Sequence, residues 1–399
     1  MDGTARAEPN TALRSLLEHA TRIEASDLYL TADHPPVFRV DNLTYQGRVP
    51  LQADEIASMA NSLMSPAQRQ EFRATLEMNL TFSLGDGVRF RANLFWQRGV
   101  TGMVVRLLRT QVRTLDELGL APTLGQIALA RSGLVLVVGE AGSGRSTTIA
   151  AMIDHRNANQ AGHILTIEDP IEFVHSHKQC VVTQREVGFD TRSYAAALRN
   201  APRQTPDAIF IGEIRDTETM ETVLSLAAGG VLCLSTLHAS NARQAVDRVL
   251  GFFPLARHPE ICMRLSQDLR AVIAQRLVPA LQSGRAAAVE ILVDTPQFKS
   301  RIRRGELDEL EQTIEQGSAE GCCTFEATLF ELVSAGLIGQ EQALEAADRR
   351  SDLLLRIERA CRPNRAADVP LRLALDPYEP AAPVAAPSPE RRSKVNPLR

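Results

Sequence analysis

Five short, almost unbroken apolar runs recur along the later part of the chain: LVLVV at 134–138, ILTI at 164–167, AIFI at 208–211, VLCLST at 231–236 and AVEILV at 288–293. A strand with one wet face alternates apolar and polar residues, because successive side chains point to opposite sides. A strand without that alternation needs cover on both faces, and the stretches between these runs have helical character. The pattern predicts an α/β domain, a sheet buried between helical layers, over residues 117–362.

Upstream the rhythm differs. Leu13, Leu16, Leu17 and Ile23 mark one face of a helix, DLYL at 27–30 and PVFRV at 36–40 read as strands, and Ser65-Pro66 offers an N-cap followed by proline at the first helical position. LTFSL at 80–84 and VRFRANLFW at 88–96 flank Gly85-Asp86-Gly87, which is hairpin chemistry, and VTGMVVRLL at 100–108 adds another strand. Residues 12–109 are therefore expected to form a smaller α+β domain, with a linker at 110–116. Residues 1–11 are expected to be a flexible N-terminus, and the Pro- and Ala-rich stretch 363–399 a disordered tail. A length of 399 residues with 44% hydrophobic content is enough for two cores.

Lys plus Arg number 44 against 48 Asp plus Glu, a net charge of -4, which gives no general attraction to nucleic acid or anionic lipid. The N-terminus lacks the pattern of a signal peptide, and no apolar run approaches the roughly 18 residues that span a bilayer. A cytoplasmic protein without membrane insertion is expected. The six cysteines are scattered, with no C-x-x-C pair, and read as reduced, buried thiols.

The chemistry sits at strand ends. Gly139, Glu140, Ala141, Gly142, Ser143, Gly144, Arg145 and Ser146 follow one apolar run and precede a helix that Thr147 and Thr148 open. Glycines let backbone N–H groups wrap an anion, and the helix N-terminus adds partial positive charge, so this is the setting of a phosphate-binding loop. Ser146 is placed to bind Mg²⁺. Arg145 stands where GxxxxGK[ST] has lysine, keeping the charge but not the compact geometry. Past the next run, TIEDPIE at 166–172 sets Glu168, Asp169 and Glu172 together, a cluster that can orient water or hold Mg²⁺ through water, or simply form a solvated acidic turn. Glu213 in GEIRD occupies a Walker B position; a helix cap paired with Arg215 is the plainer reading. His238 in STLHAS can sense a terminal phosphate or be a lone structural histidine.

Taken together, the loop at 139–146, TIEDPIEFVH, TQREVG at 183–188, IGEIRD and STLHA resemble the secretion ATPase superfamily, in its PilT/PilU pilus-retraction branch, nearer the PilU type. The likeness covers roughly residues 12–362. It implies a PAS-like N-terminal domain joined to a RecA-like P-loop domain, six copies in a ring, and ATP hydrolysis with Mg²⁺ that drives pilus disassembly. It also implies a PilT-like ATPase and an inner-membrane pilus platform protein as partners at the inner face of the inner membrane. By the same resemblance Glu172 is the general base, Glu213 acts on Mg²⁺ directly or through water, and Arg91 and Arg106 reach nucleotide phosphates. His238 matches the second histidine of the family's His box. Arg145 for lysine and Val231 for the first of those histidines are departures that bear on catalysis; Tyr29, where relatives usually have histidine, is a third that lies outside the catalytic set. Against an active motor stands a weakly hydrolysing ring subunit that supports a PilT-like motor. Extension and export ATPases commonly carry a tetracysteine insertion, whereas residues 251–276 here hold only Cys262.

Overall fold

The computed structural model describes residues 8–40, 43–85, 88–108, 111–282 and 284–361. Residues 1–7 of the expected flexible N-terminus, Asp86 and Gly87 of the hairpin turn, Arg109 at the expected end of the first domain, Thr110 at the expected linker start and the tail at 363–399 lie outside the described residues. Two sheets carry the architecture, each with its own hydrophobic core.

The first unit runs α1 (Thr11–Arg22), β1 (Asp27–Leu30), β2 (Val37–Val40), β3 (Leu43–Gln46), α2 (Ala53–Leu63), α3 (Pro66–Thr75), β4 (Glu77–Ser83), β5 (Arg89–Gln97) and β6 (Val100–Leu108). Its six strands are antiparallel, in the order β3-β2-β1-β6-β5-β4. Helix α3 starts where its sequence says: Ser65 Oγ accepts the Gln68 N–H at 3.3 Å while Gln68 Oε1 accepts the Ser65 N–H at 2.9 Å, and Pro66 opens the helix. Leu13 and Leu17 of α1, Leu28 and Leu30 of β1, and Phe90 and Leu94 of β5 are buried together.

The second unit runs α4 (Thr123–Ala128), β7 (Gly133–Val138), α5 (Arg145–Asn159), β8 (Gly162–Glu168), β9 (Cys180–Glu186), α6 (Tyr194–Asn200), β10 (Ala208–Ile211), α7 (Thr217–Ala228), β11 (Leu232–Leu237), α8 (Ala242–Gly251), α9 (His258–Asp268), β12 (Leu269–Pro279) and β13 (Arg285–Val293). Helices α10 (Pro296–Arg304), α11 (Leu310–Gln316), α12 (Phe325–Ser334), α13 (Gln340–Ala346) and α14 (Arg350–Cys361) follow. The sheet order is β13-β12-β7-β11-β10-β8-β9, parallel throughout except for the β12–β13 pair. Every residue of β7, β10 and β11 is buried, as continuous apolar runs require. Strands β9 and β12 are additional to the five runs read from the sequence. Among the described residues, Cys180, Cys233, Cys262 and Cys322 are buried free thiols and Cys323 is a half-buried one, and no helix is long and apolar enough to cross a membrane.

The C-terminal helices are tied to the sheet by Arg276 of β12, which donates to Ala346 O at 2.6 Å, pairs with Asp348 at 2.7 Å and stacks on Phe325. Nearby, buried Glu290 of β13 accepts the Ala242 N–H at 2.8 Å. Burial pushes its carboxyl up from 4.5 to about 7; the Ala242 bond opposes this, Asp348 and Glu326 add to it, and Arg276 opposes it. A carboxyl raised by folding favours the native state while protonated, and that contribution is lost as pH rises through about 7. Glu290→Gln, which keeps the acceptor, should match the native chain near pH 5 and unfold roughly 5 °C higher near pH 8. Thermal melts across that range check it; an offset that does not change with pH contradicts it.

Candidate active site

The carboxyl ends of β7, β11, β10 and β8 lie side by side, with Leu237 opposite Val138, Ile211 opposite Ser235 and Ile167 opposite Ile211. Four sequence motifs separated along the chain thus meet at one edge of the sheet, where open α/β sheets place their ligands.

From the end of β7 the chain turns through Gly139 (φ +153°), Gly142 (φ +81°) and Gly144 (φ +89°) into α5. A Cβ on Gly139 would stand 2.4 Å from Ser143 Oγ, and one on Gly144 2.7 Å from Gln275 Nε2, so both positions exclude a side chain. No side chain caps the 15-residue α5, which leaves its first-turn N–H groups for an anion. Ser143 Oγ is buried without a hydrogen-bond partner. These features fit a phosphate. Thr148 Oγ1 donates to Gln275 Oε1 at 2.6 Å and anchors the helix to β12.

A cavity of about 230 Å³ opens beside this loop, lined by Arg145, Ser146, Glu168, Asp169, Glu172, His175, Tyr194, Gly212, Glu213, Arg215 and Thr236 among others. Glu172 is exposed to it, in the field of Arg145 and Arg106. Glu213 is engaged: Arg215 Nη2 lies 2.7 Å from its Oε2, and His238 Nε2 lies 2.9 Å from its Oε1. The plainer sequence reading of Glu213 holds in half, since the pair with Arg215 forms but Asp216 is the residue that caps α7. Arg145 is tethered at the cavity wall: its Nη1 donates to Leu237 O at 2.9 Å, at the end of β11. Burial lowers its pKa, opposed by Glu213 and Glu172.

Arg91 and Arg106 face each other across β5 and β6, so their side chains leave the first sheet on one side. Arg91 Nη1 lies 3.5 Å from Glu186 Oε1 of the second unit, within ion-pair range but too long for a hydrogen bond. Arg106 Nε bonds Asp27 Oδ1 at 2.9 Å; burial alone would lower its pKa, and the hydrogen bond and charge of Asp27 raise it overall. Val231 immediately precedes β11, at the amino end of that strand, and His238 immediately follows its carboxyl end. At about 3.3 Å per residue that is roughly 20 Å of strand. The Val231 departure therefore removes no group from this cavity.

Sequence reasoning grouped Glu168 with the acidic cluster but assigned no role to His175 or Gln184, which the fold also brings in. Glu168 is buried, accepts from Thr166 Oγ1 at 2.6 Å and from Gln184 Nε2 at 3.2 Å, and is pushed up to about 7 by burial against the pull of those bonds. His175 is driven down to about 4 by burial and is neutral. Gln184 holds the segment between them.

The fold and the cavity define a RecA-like P-loop protein with acidic strand ends. Residues 6–349 match the type II/IV secretion system protein family. The chain is 44% identical over 335 residues to the type IV pilus ATPase PilU of Pseudomonas aeruginosa, covering 84% of this chain and 88% of that one. It is 40% identical to the type IV pilus retraction ATPase PilT of the same organism, covering 84% of this chain and 98% of that one. A crystal structure of the pilus retraction motor PilT with bound ADP superposes with a TM-score of 0.79 at 38% identity, over 86% of this chain and 98% of that one. The chain belongs to this family, among its type IV pilus retraction ATPases of the PilT/PilU type.

Proposed function

We propose that the chain binds ATP with Mg²⁺ at the 139–147 loop and hydrolyses it as a PilU-like motor subunit of a six-membered ring that retracts type IV pili. The observation that carries this is the meeting of an uncapped helix N-terminus, Glu172, Glu213 and His238 at one sheet edge. Gly139 through Thr147 hold the phosphates; Ser146 and Glu213 supply the hard oxygen ligands Mg²⁺ prefers. Bound there, the ion neutralises charge on the phosphates. Glu172 takes a proton from the attacking water as the bond between the terminal phosphoryl group and ADP breaks. His238 keeps Glu213 aligned from the β11 side. Arg91 and Arg106 act from the first domain, so nucleotide exchange moves that domain and, through the ring, its neighbours. The ring works in the cytoplasm at the inner face of the inner membrane, on a pilus platform protein and beside a PilT-like ATPase.

A second reading has one observation behind it. One N–H of the Arg145 guanidinium is tied to Leu237 O, which holds the group in place and suits a subunit that binds nucleotide, hydrolyses weakly and supports a PilT-like motor. Titration calorimetry with ATP and Mg²⁺, followed by steady-state turnover on the same sample, decides. Uptake with turnover supports the motor and uptake without turnover the supporting subunit. No uptake at millimolar ligand overturns both.

A further inference from the structure

The TQREVG segment on β9 marks the family but has no role in the reading above. Gln184 and Glu186, two residues apart, share one face of β9. Their side chains hold the irregular segment after β8 at three alternate residues. Glu186 Oε2 accepts the Ile171 N–H at 3.1 Å, Gln184 Nε2 donates to Phe173 O at 2.9 Å, and Gln184 Oε1 accepts the His175 N–H at 2.8 Å. Ile171, Phe173 and His175 are buried, whereas Glu172 between the first two is exposed to the cavity. Gln184 Nε2 also reaches Glu168 Oε1 at 3.2 Å, so one amide joins the end of β8 to the stretch that carries Glu172.

We propose that Gln184 is a positioning residue for hydrolysis, clamping the backbone on the carboxyl side of Glu172 so that this carboxylate stands where the attacking water is. The proposal rests on the reading of Glu172 as general base. Glu186 clamps the other side and lies within ion-pair range of Arg91, which ties the same segment to the first domain. A displacement of about 1 Å in a catalytic group can cost on the order of 10²-fold in rate, and a single lost clamp with Glu186 intact should cost less.

The test uses the full chain. Gln184→Met keeps length and removes every polar contact; Gln184→Glu keeps an acceptor for the His175 N–H but loses the donor and sets a carboxylate beside Glu168. Each should lower kcat about 10-fold or more, with affinity for a fluorescent non-hydrolysable ATP analogue within about twofold of the native chain. In a Glu172→Gln background Gln184→Met should lower the residual rate no further, because it acts through Glu172. Native kcat, parallel loss of kcat and affinity, or full additivity with Glu172→Gln overturns the proposal. If Gln184→Met does not fold, Gln184→Glu is read by the same criteria. Native activity in Glu172→Gln sinks the general-base reading instead, a result distinct from a silent Gln184 variant.

Discussion

Glu172→Gln is expected to lower the kcat of ATP hydrolysis by about 10²–10³-fold, with nucleotide affinity changed by less than about threefold. Glutamine keeps the size of the side chain and its place in the cavity but cannot accept the proton of the attacking water. Of the acidic residues lining that cavity, Glu172 and Asp169 are exposed, and Glu172 is the one in the field of both Arg145 and Arg106. Glu168 is buried, bonded to Thr166 and Gln184, and raised to about 7; Glu213 is paired with Arg215 and His238. Burst and steady-state kinetics alongside analogue binding measure both quantities. A variant that keeps more than about a tenth of native kcat would falsify the assignment of the base.

The buried parallel strands could be read directly because their continuous apolar runs have only one comfortable environment. Strands β9 and β12 could not. β9 lies at the sheet edge, where CVVTQRE alternates in burial and carries charge. β12 is central, yet Arg270, Gln275 and Arg276 interrupt it, each satisfied by a partner that only the fold supplies: Ser132 O and Asp294, Thr148, and Ala346 O with Asp348. AVEILV has the composition of the other runs but pairs antiparallel with β12, a direction that composition does not encode. At the site, motif order placed Glu172, Glu213 and His238 near the loop because consecutive parallel strands end on one edge. The approach of Arg91 to Glu186 depends on how two domains pack, and the bond from Arg145 to Leu237 O joins positions 92 apart. Neither leaves a local signal.

That last bond sets the second large effect. One N–H of Arg145, on Nη1, is held by Leu237 O at 2.9 Å in a half-buried setting that already disfavours charge, so its remaining donors approach a phosphate from a tethered position. An ammonium is a compact point charge with freely turning donors, and has no planar fork to align with that carbonyl. Arg145→Lys should therefore raise kcat/KM for ATP about tenfold, less than the roughly 10²–10³ that one well-aimed donor contributes. Arg145→Ala should lower kcat/KM about 10²-fold, because Glu172 and Glu213 are then left facing a triphosphate without the cation between them. The pair of variants separates three roles for this arginine. A gain with lysine and a loss with alanine means the guanidinium contributes charge from a compromised position. If lysine instead lowers kcat/KM, the arginine is the adapted donor and its bond to β11 belongs to the working geometry. If alanine matches the native chain, Arg145 serves only to join α5 to the end of β11, and the phosphate is held by the loop's backbone alone.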